Sequence, residues 1–165
     1  MKRFFLTICA LCISLIWVSC SSEDDNIIGV WKLTTWSVDI PVDLNKDGAT
    51  TTNLLDEVTC VNNETLVFDK RGIVASNETF NPEIDIVLLD KTDNEYFFNV
   101  ICPEGVIGTA SSYTKEGDRV MINDRMASLN GNKLIRVFKN AHKIYNEDLT
   151  EVIATKDLTL IYTKL

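Results

Sequence analysis

The sequence predicts an all-β domain: eight or nine strands and one short helix, arranged as a sandwich or as a barrel. Three observations carry this expectation. Apolar residues recur from Ile27 onward with a period close to two. Turn-forming residues interrupt that alternation roughly every eight to twelve positions. Only one segment of the domain keeps helical spacing.

Val30 to Ile40, rich in Val, Trp, Thr and Leu, reads as the first strand. Asn53 to Val58 reads as the short helix, with Asn53 as N-cap and Leu54, Leu55 and Val58 at helical spacing. Thr65 to Asp69 and Ile73 to Phe80 flank Lys70-Arg71-Gly72, a hairpin-like break. Ile84 to Leu89 and Tyr96 to Cys102 flank the polar turn Lys91-Thr92-Asp93-Asn94. Val106 to Thr114 and Arg119 to Ile122 flank Lys115-Glu116-Gly117-Asp118. Asn130-Gly131 is the strongest short hairpin signal, because both residues tolerate positive φ. Lys133 to Tyr145 and Asp157 to Lys164 complete the set. Leu158, Leu160 and Tyr162 share one face and Thr159, Ile161 and Thr163 the other; Tyr96, Phe98 and Val100 likewise oppose Phe97, Asn99 and Ile101. An apolar face backed by a mixed one suits a barrel with a partly hollow interior, and equally a sandwich with a decorated surface.

Ahead of the domain, Lys2 and Arg3 precede an uncharged, mostly apolar run from Phe4 to Val18. That is the layout of a secretory signal peptide, shorter than the roughly 20 apolar residues of a membrane-spanning helix. The run ends in Trp17-Val18-Ser19-Cys20, which resembles a bacterial lipoprotein lipobox. Behind it, Ser21-Ser22-Glu23-Asp24-Asp25 resembles the surface-export signal of Bacteroidetes-type lipoproteins. The resemblance implies removal of residues 1–19, lipidation of Cys20, an acidic tether over 20–26 and a domain over 27–165. It places the protein at the outer membrane, lipid-anchored and displayed at the cell surface.

Gly29-Val30-Trp31 opens the first strand, and Gly-x-Trp in that place is the entry signature of the lipocalins. With Ile28-Gly29-Val30-Trp31-Lys32-Leu33, Leu66-Val67-Phe68-Asp69-Lys70-Arg71-Gly72 and Leu160-Ile161-Tyr162-Thr163-Lys164, the domain resembles the lipocalin-like domain lipoproteins of Bacteroidetes. The resemblance implies an antiparallel up-and-down barrel of about eight strands. It further implies that Trp31, following Gly29, packs at the closed end beneath a basic side chain of the last strand. Lys164 is the residue that matches.

Of five cysteines, Cys9 and Cys12 leave with the signal peptide and Cys20 takes lipid, so Cys60 and Cys102 remain. An even remainder in a compartment that permits disulfides favours one structural bridge; two separate buried thiols are the alternative. Asp43-Leu44-Asn45-Lys46-Asp47-Gly48 sets oxygen ligands at alternate positions with Gly at the sixth, the opening half of a calcium loop. Asp56 or Glu57 from the short helix would complete a shell around Asp43, Asn45 and Asp47. The competing reading is an Asx-rich turn whose side chains cap their own backbone.

A net charge of -8 argues against nucleic acid as a partner. No nucleophile elbow, Walker loop, HExxH or dinucleotide glycine pattern is present, and His142 is the single histidine. We therefore expect no enzyme and no cofactor, calcium aside. Arg119, Arg125, Lys133, Arg136, Lys139 and Lys143 concentrate positive charge, either as a patch for an anionic ligand or partner or as decoration of outer strand faces. Two functions follow. One is a binding module that holds a small apolar or amphipathic ligand, with aromatics such as Trp36, Tyr96, Phe97, Phe98, Phe138 and Tyr145 to line it. The other is a non-catalytic envelope interaction module whose barrel is packed solid.

Overall fold

The structure is a computed structural model that describes residues 26–90 and 95–165. Its strands form a sheet that closes on itself, so the barrel is what the alternation builds and the sandwich is not. Eight strands are the staves: β1 (Gly29–Ser37), β2 (Thr65–Phe68), β3 (Ile73–Ser76), β6 (Thr109–Glu116), β7 (Arg119–Ile122), β8 (Arg125–Asn130), β9 (Lys133–Tyr145) and β10 (Val152–Lys164). Each runs antiparallel to the next, and β10 returns to β1, with Trp31 opposite Lys164 and Leu33 opposite Tyr162. Between β3 and β6 the chain makes a hairpin of β4 (Glu83–Asp90) and β5 (Glu95–Ile101). The hairpin leaves the wall and attaches to the far end of β9 by a parallel contact, Ile86 opposite Ile144 and Val87 opposite Tyr145. The expected turn Lys91-Thr92-Asp93-Asn94 lies outside the described residues.

The helix expected over Asn53 to Val58 is a correction: a single 3-10 turn, Leu54–Asp56, forms instead. Asn53 does cap it, accepting from the Leu55 amide. The same side chain also accepts from the Trp36 amide at 2.9 Å and donates to the Thr34 carbonyl at 3.2 Å. Asn53 thus stitches the turn to β1 at the point where β1 is bulged, between Leu33 and Thr35. The Asn130-Gly131 signal is one residue early. Asn130 is a strand residue opposite Lys133, and Gly131, at φ +59, makes the two-residue loop with Asn132. Asn123 and Asp124, both at positive φ, make the equivalent loop between β7 and β8.

β9 and β10 are thirteen residues each. Midway, the pairing shifts between Lys156 and Leu158, and Asn140 takes a φ of +52. Asp157 latches this bulge, accepting the Asn140 amide at 2.9 Å and pairing with Lys139 Nζ at 2.6 Å. On one side of the bulge β9 pairs with β8; on the other it carries the hairpin. The core runs from Trp31, Leu33, Phe68, Val120, Leu134 and Tyr162 through Val38, Ile40 and Leu54 to Ile86, Phe98 and Ile144. All of these side chains lie between Ile27 and Tyr162. A closed sheet around its own core gives residues 26–165 the anatomy of one domain.

Candidate functional site

The two ends of the barrel differ. At one end Trp31 is fully buried and donates its indole N–H to the Ile27 carbonyl at 2.8 Å. Phe68 meets Trp31 edge-on, and Tyr113 meets Phe68 in the same way. Lys164 brings Nζ to 5.6 Å from the Trp31 ring centroid and donates to the Asn26 carbonyl at 2.7 Å. Gly29, at φ +125, lies beneath the Lys164 stem, where a Cβ would stand 3.4 Å from Cε. Gly29, Trp31 and Lys164 are thereby brought together as a packed plug.

The other end opens into a pocket of about 520 Å³, inside the 300–1,000 Å³ range typical of small-molecule sites. Leu158, Leu160 and Tyr162 of β10 stand beside Phe138 and Arg136 of neighbouring β9 in one wall of it, all on the inward side of their strands. Trp36 closes one side, Phe80, Asn81 and Pro82 from the link into β4 another, and Arg125 stands at the rim on the first residue of β8. The hydroxyls of Ser76 and Thr79 are buried without a hydrogen-bond partner, and Thr79 belongs to this wall.

Glu64, 4% exposed, is the carboxyl group of the pocket. Its Oε1 accepts from the Tyr162 hydroxyl at 2.6 Å and its Oε2 from the Phe80 amide at 2.8 Å. Burial pushes its pKa up, against the opposing pull of those two hydrogen bonds and the charges of Arg136 and Lys32. Burial and the adjacent Glu64 carboxyl push Tyr162 up, which keeps it a phenol. His142, half-buried, stacks edge-on with Trp36 at 4.9 Å between centroids, and burial lowers its pKa toward the neutral imidazole. Arg125 and Arg136 place their guanidinium carbons 5.2 and 5.0 Å from the Phe138 centroid. The arrangement offers an apolar wall, two guanidinium groups at one aromatic ring, and one carboxyl whose oxygens are both engaged.

The basic concentration of residues 119–143 is divided by the fold. Arg125, Arg136 and Lys139 line the pocket, whereas Arg119, Lys133 and Lys143 are exposed elsewhere. Of the expected aromatics, Trp36 and Phe138 line it, while Tyr96, Phe97 and Phe98 sit on the hairpin and Tyr145 at the end of β9. Glu64 escaped sequence reading, because Asn62-Asn63-Glu64 looks like a polar loop and its partner Tyr162 is 98 residues away. Arg136 carried a legible signal: it shares the parity of Leu134 and Phe138.

The four residues expected around calcium stand about one loop as caps on backbone amides. Asp43 accepts from Asp47 and Gly48, each at 3.0 Å. Asn45 Oδ1 accepts from Asp47 at 2.9 Å, and Asp47 from Ala49 at 2.8 Å. Glu57 Oε2 accepts from Leu44 and Asn45. Among the described residues, no three His, Cys, Asp or Glu side chains gather as a metal-holding group. Cys60 and Cys102 are joined, Cα to Cα 5.3 Å, tying the β1–β2 connection to the end of the hairpin. Cys20 and the signal peptide lie outside the described residues. Comparison of the chain with protein-family models, with curated proteins and with solved structures finds no match.

Proposed function

We propose that this protein is a non-catalytic, lipid-anchored binding protein of the bacterial outer membrane, a lipocalin-like barrel that holds a small apolar or amphipathic molecule in its mouth. The observation that carries this reading is the pocket of about 520 Å³ inside a closed barrel whose other end is plugged by Trp31. Trp36, Phe138, Leu158 and Leu160 supply its apolar wall, and each Å² of apolar surface removed from water there is worth about 25 cal/mol. Cys20 and the acidic residues behind it support the anchor; each acyl CH₂ buried in a bilayer contributes about 0.8 kcal/mol.

Native mass spectrometry of residues 21–165, purified gently, tests the reading. Extra mass on the order of a few hundred daltons that survives desalting is the expected result. A bare mass would overturn it in favour of the interaction module. That second reading has its own support: β5 is the open edge of the sheet, with Phe97 and Ile101 exposed on it and Val106 and Ile107 exposed just beyond. The anchor is tested separately. Labelled palmitate should enter the wild-type protein in its bacterial host and not the Cys20→Ser variant.

A further inference from the structure

We propose that the mouth pocket is built for an anionic amphiphile, whose negatively charged head sits between Arg125 and Arg136 while its apolar body lies against Trp36, Leu158 and Leu160. The inference rests on the binding reading above and adds the charge of the head group to it.

Arg136 occupies an inward position of β9, opposite Ala127 of β8 and Leu160 of β10, both buried. Cross-strand partners share a face, so a guanidinium stands where the barrel elsewhere holds apolar side chains. Arginine does not shed its charge in a protein, and a charge withdrawn from water without a counter-charge is costly. Among the described residues the ion pairs are Arg71–Asp69 and Lys139–Asp157; neither Arg125 nor Arg136 has one. Glu64, the carboxyl of the same pocket, already accepts from Tyr162 and Phe80, one on each oxygen.

The two arginines converge. Both approach the Phe138 ring, at 5.2 and 5.0 Å, one from the rim and one from the inward face of β9. In a chain of net charge -8 this is a local inversion of sign. Like charges that meet at one ring repel, and an anion between them offsets both. Lys139, the third cation of the lining, is paired with Asp157 at 2.6 Å, so the cations of the lining without an ion-pair partner are the two arginines, of which Arg136 is offset only in part by the Glu64 carboxyl. Guanidinium groups bind carboxylate, sulfonate or phosphate oxygens through paired N–H donors. Past them lie Leu158, Leu160 and Trp36, which have no polar demand except the Trp36 indole N–H.

The test uses the lipid-free domain, residues 21–165, its folding checked by a cooperative melting curve, titrated calorimetrically near neutral pH with three probes of equal chain length below their micelle concentrations. These are dodecanoate, dodecanol and dodecyltrimethylammonium. Dodecanoate should bind about tenfold more tightly than dodecanol, and the ammonium probe more weakly than either. Arg136→Gln should lower dodecanoate affinity about tenfold and Arg125→Gln about threefold, Arg125 being the more exposed, with dodecanol unchanged by both. Because Arg136→Gln alters an inward position, each variant's melting curve is recorded. Should it fail to fold, Arg125→Gln and the charge-reversing Arg125→Glu at the rim carry the test, the latter with the larger loss. Equal affinity for all three probes, or dodecanoate binding indifferent to the arginines, would overturn the head-group assignment and leave the binding reading standing. Binding of none would overturn the assignment, and the native mass measurement then decides the binding reading independently.

Discussion

The closed and open ends of the barrel are assembled from the same ingredients and reach opposite results. Each has a tryptophan from β1, further aromatic rings, and a cation from the strands that follow. At Trp31 the chain fills the space itself, with Lys164 across the ring and Phe68 and Tyr113 edge-on behind it. At Trp36 the cations flank Phe138 instead, and room is left between the walls. The difference lies in the backbone more than in side-chain size. The three shifts of register in the β1 and β10 staves, at Leu33/Thr35, Lys156/Leu158 and Val152/Ala154, all fall on the open side of the Trp31–Lys164 pair. Bulges bend strands and are common at barrel rims. A ligand space can thus be opened by letting two neighbouring staves fall out of step.

The contrast can be broken most directly at its two aromatic ends. Trp31→Ala should lower the unfolding free energy by about 3–5 kcal/mol, read by urea denaturation, whereas half-buried Phe138→Ala should cost about 1 kcal/mol. Equal losses would mean that the ends are equally packed. Next in size is the bridge. Replacing Cys60 and Cys102 together by Ala should cost about 2–4 kcal/mol, in a unit where they stand 42 residues apart.

Glu64→Ala should cost about 2 kcal/mol by leaving the Tyr162 hydroxyl and the Phe80 amide without their acceptor. The same group gives the open end a pH dependence. Its folded pKa is raised above the ordinary 4.5, so its favourable contribution is complete below that value and is lost as pH rises through the raised one. Glu64→Gln should flatten that limb of the melting-temperature profile; an unchanged profile would place the titration elsewhere. The smallest effect belongs to the surface latches. Asp69, held down first by the Ile73 amide, and Asp157, held down first by Lys139, both have pKa values below the ordinary 3.8. Their contribution is present above that value and fades as pH falls through the depressed ones. Asp69→Asn with Asp157→Asn should therefore lower stability slightly at neutral pH, leave strongly acid pH nearly untouched, and so flatten the acid limb of the melting-temperature profile.

Much of this was legible in the sequence where alternation is the whole signal. The inward set Leu158, Leu160 and Tyr162, the strand Arg119–Ile122 and the cysteine pair all read directly. What was not legible depends on contacts that local pattern does not encode. Lys133 to Tyr145 reads as one uniform strand, yet it changes partner from β8 to β4 across a bulge held by a residue of another strand, Asp157. Asn53 to Val58 reads as a helix because its spacing is right; the cap side chain is also bonded to Trp36 and Thr34, and the helix stops at one turn. The pocket followed the same division. Its apolar wall was visible in strand parity, while its buried carboxyl, Glu64, was not.

The pairing of Trp31 with Lys164 has a consequence in time as well as in space. Closing the wall joins the first stave to the last, so every early hairpin must wait, open-edged, for β10. Contacts of such long sequence separation make folding slow, on the order of milliseconds to seconds, compared with proteins of local topology. A nascent chain whose β10 is still held in a ribosome tunnel or a translocation pore cannot seat Trp31 beneath its lysine. Until Tyr162 and Lys164 emerge, the polypeptide is a row of strands without a barrel.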